Sequence, residues 1–183
     1  MSEQSFFRFR IFFTLVVTIA IASLLAWNYT NGGVPAHHIF ANKDMPEISN
    51  WWGLLVLPLL TWFLTYRVGK RIFNDYPKNR PTQTTRALVG FIGALLFGIL
   101  VAGSFSLGYR DATGNILLIV FPLALFIPIY RSEYLLGFVI GMTYTFGAVL
   151  PTGIGSILIM ALAVIYLYIR SFFLFIGSKF STR

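Results

Sequence analysis

The chain has 183 residues, of which 57% are hydrophobic, 17% aromatic and 11% charged, and its mean hydropathy is +0.76. Soluble domains run near roughly 45–50% apolar and about 25% charged, and 14 basic plus 6 acidic residues are too few to cover a soluble surface. A soluble enzyme, a disordered tail and a coiled coil are therefore set aside, and the absence of cysteine removes disulfides, thiolate metal sites and cysteine nucleophiles.

What remains is a polytopic membrane protein. A membrane helix needs roughly 20 mainly apolar residues, and the runs without charge predict six spans, at 11–29, 51–66, 87–107, 116–130, 134–150 and 154–169. The first is too long in its apolar part for a cleaved signal peptide, and no small-residue cleavage site follows Trp27. It carries Thr14, Thr18, Ala22 and Ala26 at four-residue spacing.

The outer loop 30–50 opens with Asn31-Gly32-Gly33 and contains Pro35 and Pro46, which predicts an irregular segment with turns. His37, His38, Asp44 and Glu47 make it the densest polar constellation in the chain. Imidazoles with carboxylates suit acid–base chemistry or a zinc or copper ion. These four residues lack helical spacing, however, and the expectation is no metal and no cofactor, with the imidazoles at headgroup level. Ser49 or Asn50 caps the second span, and Trp51 and Trp52 form an aromatic belt.

The basic loop 67–86 carries Pro77 and Pro81, so a helix continuing over 68–74 stops there. In the third span Gly90, Ala94, Gly98 and Ala102 recur every four residues, and in the fifth Gly137, Gly141 and Thr145 do the same. Lipid gives helices no hydrophobic reason to associate, so they rely on close backbone approach at such positions. Internal packing is the expectation; a partner membrane helix is the alternative.

The fourth span is short, about 22 Å by helical rise, and contains Pro122 and Pro128. Arg110-Asp111 and Arg131-Glu133 flank it and read as exposed interfacial ion pairs. Pro151 divides the fifth span from the sixth. Thr143, Tyr144, Thr145, Thr152 and Ser156 are the uncharged polar cluster best suited to a small ligand. Gly153-Ile154-Gly155-Ser156 resembles part of an intramembrane serine protease signature, but no glycine follows the serine and no histidine lies in a span. No ionisable residue occupies the middle of any span, which argues against a proton-coupled pump or an intramembrane carboxylate or metal enzyme.

Orientation follows from the basic residues. With the N-terminus inside, Arg8, Arg10, Arg67, Lys70, Arg71, Lys78, Arg80, Arg86, Arg131, Arg170, Lys179 and Arg183 fall on the inner side, and Lys43 and Arg110 outside. The charge then serves insertion and contact with anionic lipid headgroups, not nucleic acid. The expected fold is an all-α integral membrane protein: a compact bundle of six transmembrane helices with both termini cytoplasmic, in a bacterial inner membrane. Six spans, both ends inside and a small-residue stripe on the first helix resemble, in topology, the substrate-capture subunits of vitamin transporters. The expected function is binding or transport of a small solute, or service as a subunit of a larger membrane complex. The rivals are an enzyme acting at the outer face through the His37–Glu47 loop, and a membrane assembly or interaction factor.

Overall fold

The computed structural model describes residues 2–38, 47–76 and 79–172, apart from the side chains of His37, His38 and Arg110. Helix α1 (Glu3–Thr30) begins at Ser2, whose hydroxyl accepts from the Ser5 amide at 3.1 Å, with Glu3 in the first turn opposing the helix dipole. Strands β1 (Ala36–His38) and β2 (Glu47–Ser49) then pair antiparallel, His37 opposite Ile48 and His38 opposite Glu47. The ends of the outer loop are thus a short ladder and not the irregular segment expected from its prolines. Pro35 ends the ladder, accepting from the Asn50 amide at 3.1 Å with a carbonyl that its missing N–H does not affect.

A 3₁₀ turn over Asn50–Trp52 leads into α2 (Gly53–Lys70), which passes into a π turn over Arg71–Asp75. Helix α3 (Arg80–Ser106) carries Pro81 in its first turn, where a missing amide leaves no bond unmade. Next come α4 (Arg110–Leu118) and the single turn α5 (Val120–Leu123), then turns as far as α6 (Ser132–Phe146). Helix α7 (Val149–Val164) ends in a second π turn over Ile165–Ile169.

Two boundaries differ from those expected. The 116–130 segment is not one helix. Pro122 has no amide for the Leu118 carbonyl, and the chain breaks at Ile119; Pro128 withholds the same bond from Ala124, within the turns that follow α5. Pro151 does not divide the last two segments either. The divide is Gly147-Ala148, and Pro151 sits in the first turn of α7. Gly147 has φ +69°, and the Asn50 carboxamide occupies the space a Cβ would need, so both conformation and room call for glycine.

The helices form a bundle, and among the described residues four helical stretches are long and apolar enough to cross a membrane: Glu3–Thr30, Asn50–Asp75, Arg80–Ser106 and Val149–Phe172. Large apolar side chains face outward along them, including Phe12, Ile19, Leu59 and Leu96. Helix α6 is the centre. It is buried on nearly every side, packing on α3 and also touching α2 and α7, while α1 covers α2. Helices α1 and α2 run antiparallel, with Phe6 against Phe73 at the end where α1 begins and Tyr29 against Trp51 at the other.

Helices α3 and α6 run parallel. Gly90 lies under the Tyr134 ring, Gly98 against Phe138 and Gly141, and Phe105 against Phe146. Two parallel neighbours require the chain between them to return along their whole contact. From Gly90 to Phe105 that is about 22 Å by helical rise. Residues 107–131 therefore make the return, although they do so as a broken helix.

Candidate functional site

The site is built on the seam between α3 and α6. A Cβ on Gly98 would stand 2.6 Å from the Phe138 carbonyl oxygen; on Gly137 and Gly141 it would strike the Phe91 and Leu95 carbonyls. These are contacts of backbone on backbone, reached because three residues have no side chain. The C–H bonds that occupy those directions point at carbonyl oxygens, and each such contact contributes about 0.5–1 kcal/mol, less than an ordinary hydrogen bond. Ala94 and Ala102 are buried on the same α3 face. The residues singled out by four-residue spacing, Gly90, Ala94, Gly98, Ala102, Gly137 and Gly141, thus lie along one helix pair inside the chain.

One end of the bundle gathers the described basic side chains, where α1, α3 and α6 begin and α2 and α7 end. Arg71, at the start of the π turn, forms a bidentate ion pair with Glu133 in the first turn of α6, both N–O distances being 2.9 Å. Glu133 is only 3% exposed. Its partner is therefore not Arg131, two residues away, and the pair is not the exposed interfacial one expected. Sequence distance hid it: Arg71 lies 62 residues from Glu133 and reads locally as one more cation of a basic loop. The available signal was a carboxylate in the first turn of an otherwise apolar helix.

Beside the seam lies a cleft of about 260 Å³. Gly93, Ala94 and Phe97 of α3 and Tyr134, Leu135 and Phe138 of α6 form its floor; Gly155, Leu158, Ile159 and Leu162 of α7 form one wall. Val120, Leu123, Ile127 and Ile129 of the broken segment form the other. Tyr134 is the one lining residue with a polar side chain. The break explains the opening, since turns after Leu123 replace the helix that would otherwise lie along the seam. Val120 and Ala124 nevertheless pack against Leu162, which holds the broken segment to α7. Gly93 faces the cleft with open space around the position of its missing Cβ. It stands outside the Gly90–Ala94–Gly98 spacing, so the sequence did not single it out.

The hydroxyl cluster does not converge. Thr143 donates to the Val139 carbonyl and Thr152 to the Ala148 carbonyl, each at 2.7 Å, so both spend their hydrogen bonds within their own helices. Tyr144 is 81% exposed; it and Thr145 line a separate hollow with Ile99, Ala102 and Ser106. Ser156 is half-buried on α7. In the outer loop Glu47 is exposed, His37 and His38 are placed by their backbones in β1, and Asp44 lies outside the described residues. Among the described residues no three histidine, aspartate or glutamate side chains gather as a metal site would require.

Neither protein-family models, curated proteins nor solved structures show a match to this chain.

Proposed function

We propose that the chain is a six-pass integral membrane protein, both termini cytoplasmic, that binds a small apolar solute or one apolar chain of an amphiphile in the cleft between α3, the broken segment, α6 and α7. The membrane reading draws on the outward-facing apolar side chains, which water would not tolerate over so large an area, and on the twelve basic residues assigned to the inner side. Gathering of their described members at one end of the bundle supports it. The fourth and fifth crossings are then the broken segment, which turns Leu118, Ile119 and Phe126 outward, and α6, which its neighbours enclose.

The cleft is the observation that carries the function. A lining of carbon with one phenol selects by shape and gives a charged or sugar-like solute nothing to replace its water. Its volume falls a little below the roughly 300–1,000 Å³ of common ligand pockets, which suits a single ring or a length of alkyl chain. The Tyr134 phenol is the one polar side chain in the lining, and binding, not turnover, is the role proposed. Anionic headgroups at the basic end are the expected general lipid contact, and no nucleic acid partner is proposed.

The test uses a fluorescent single-chain amphiphile, 11-(dansylamino)undecanoic acid, titrated into protein in a non-fluorescent detergent. Gly93→Phe places a ring in the cleft from a position with open space. Saturable enhancement with the native chain and at least tenfold weaker binding by Gly93→Phe, at unchanged melting temperature, is the expected result. Equal binding by both would overturn the reading.

A further inference from the structure

A second cavity, of about 350 Å³, lies between the ends of α1 and α2 at the basic end, away from the apolar cleft. Its walls combine Phe6, Phe7 and Phe73 with Arg10, Lys70 and Glu3. Arg10 is held in a fixed pose. Its guanidinium carbon stands 3.5 Å from the centroid of the Trp62 ring and 5.2 Å from that of Tyr66, and its Nε donates to the Trp62 carbonyl at 3.2 Å. Stacking and one hydrogen bond thus fix the plane of the fork. The two terminal nitrogens take no partner among the described residues.

From this arrangement we infer that the cavity is a headgroup site for an ammonium-bearing phospholipid of the phosphatidylethanolamine class, with the phosphate between Arg10 and Lys70 and the ammonium at Glu3. A guanidinium presents paired donors that match two phosphate oxygens, and holding it in place beforehand removes ordering cost from binding. Lys70 adds a second positive charge. Glu3 would repel a phosphate placed alone beside it, but it completes the site for a headgroup that carries its own cation. The phenylalanines supply the apolar wall along which glycerol and the first acyl carbons lie, and Phe7 is half exposed on the outward side. A freely dissolved phosphate ester would leave that wall unused. The site rests on the membrane reading and is independent of the apolar cleft.

The test is native mass spectrometry of the full chain in detergent with short-chain phosphatidylethanolamine, short-chain phosphatidylglycerol, and soluble phosphoethanolamine. The expected result is retention of one phosphatidylethanolamine, at least tenfold more tightly than phosphatidylglycerol and far more tightly than phosphoethanolamine. Arg10→Gln should abolish retention, and Arg10→Lys, which keeps the charge but loses the fork and the stack, should weaken it by about tenfold. Glu3→Gln, an exposed change that leaves the fold alone, should erase the preference between the two lipids. Retention by Arg10→Gln equal to the native chain, equal retention of both lipids by the native chain, or equally tight phosphoethanolamine would each overturn the inference. Should Arg10→Gln fail to fold, Lys70→Gln and Glu3→Gln carry the test. Loss of amphiphile binding by Gly93→Phe with phosphatidylethanolamine still retained would separate the two sites.

Discussion

Two residues far apart in sequence hold the basic end together. Glu133 is enclosed, and its carboxylate is satisfied by both arms of the Arg71 fork. Removing one member of such a pair leaves a charge without its partner and costs about 3–5 kcal/mol, whereas replacing both with apolar groups of similar volume is often nearly neutral. Glu133→Met alone should therefore lower the melting temperature sharply, and adding Arg71→Met should restore most of the loss. Differential scanning fluorimetry of the double-mutant cycle measures this; additive losses with no coupling would show that the pair does not act as a unit. Sequence alone exposed neither this pair nor the stacked Arg10. Both are made by side chains from different helices, and in the linear chain each arginine looks like an ordinary topology-setting charge.

At the scale of the element, the α3–α6 seam was the most legible feature, because small residues every four positions mark one helix face whatever the rest of the fold does. Which face each glycine presents was not equally legible. Gly93 and Gly98 are five positions apart on one helix, yet one opens onto the cleft and the other packs so closely that an added Cβ would stand 2.6 Å from a carbonyl oxygen. Alanine is favoured over glycine in a helix by about 1 kcal/mol, so Gly93→Ala should hold or raise stability. Gly98→Ala gains the same propensity but must push two backbones apart, for a net loss of about 1–3 kcal/mol. Thermal unfolding in detergent should give melting temperatures on opposite sides of the native value, or at least well separated; identical shifts would place Gly98 away from the seam. The hydroxyl cluster shows the converse limit. Its residues are neighbours in sequence, but a helix turns Tyr144 outward while Thr143 bonds back to the preceding turn.

For the whole molecule, hydropathy marked the long apolar helices, since each holds an apolar run that can be read without knowing its neighbours. Segment 116–130 was harder. Its composition reads as a span, and the physical consequence of Pro122 and Pro128 depends on whether neighbours close the gaps left by the missing amides. The structure leaves them open, and the resulting cleft, along with the shielded position of α6, is a property of the assembled bundle. The pairing of β1 with β2 was hidden for a similar reason, as strands of three residues leave almost no periodicity to read.

The six-pass reading depends on residues 107–131 carrying the chain from one side of the membrane to the other. Because the chain contains no cysteine, a single introduced thiol is an unambiguous reporter. Tyr109→Cys and Arg131→Cys, labelled in intact cells and in inverted membrane vesicles with a membrane-impermeant maleimide, test that crossing directly. The account predicts that Tyr109→Cys reacts only from outside and Arg131→Cys only from the cytoplasmic side. Labelling of both from the same side would contradict it, since the broken segment would then lie against the bundle without crossing.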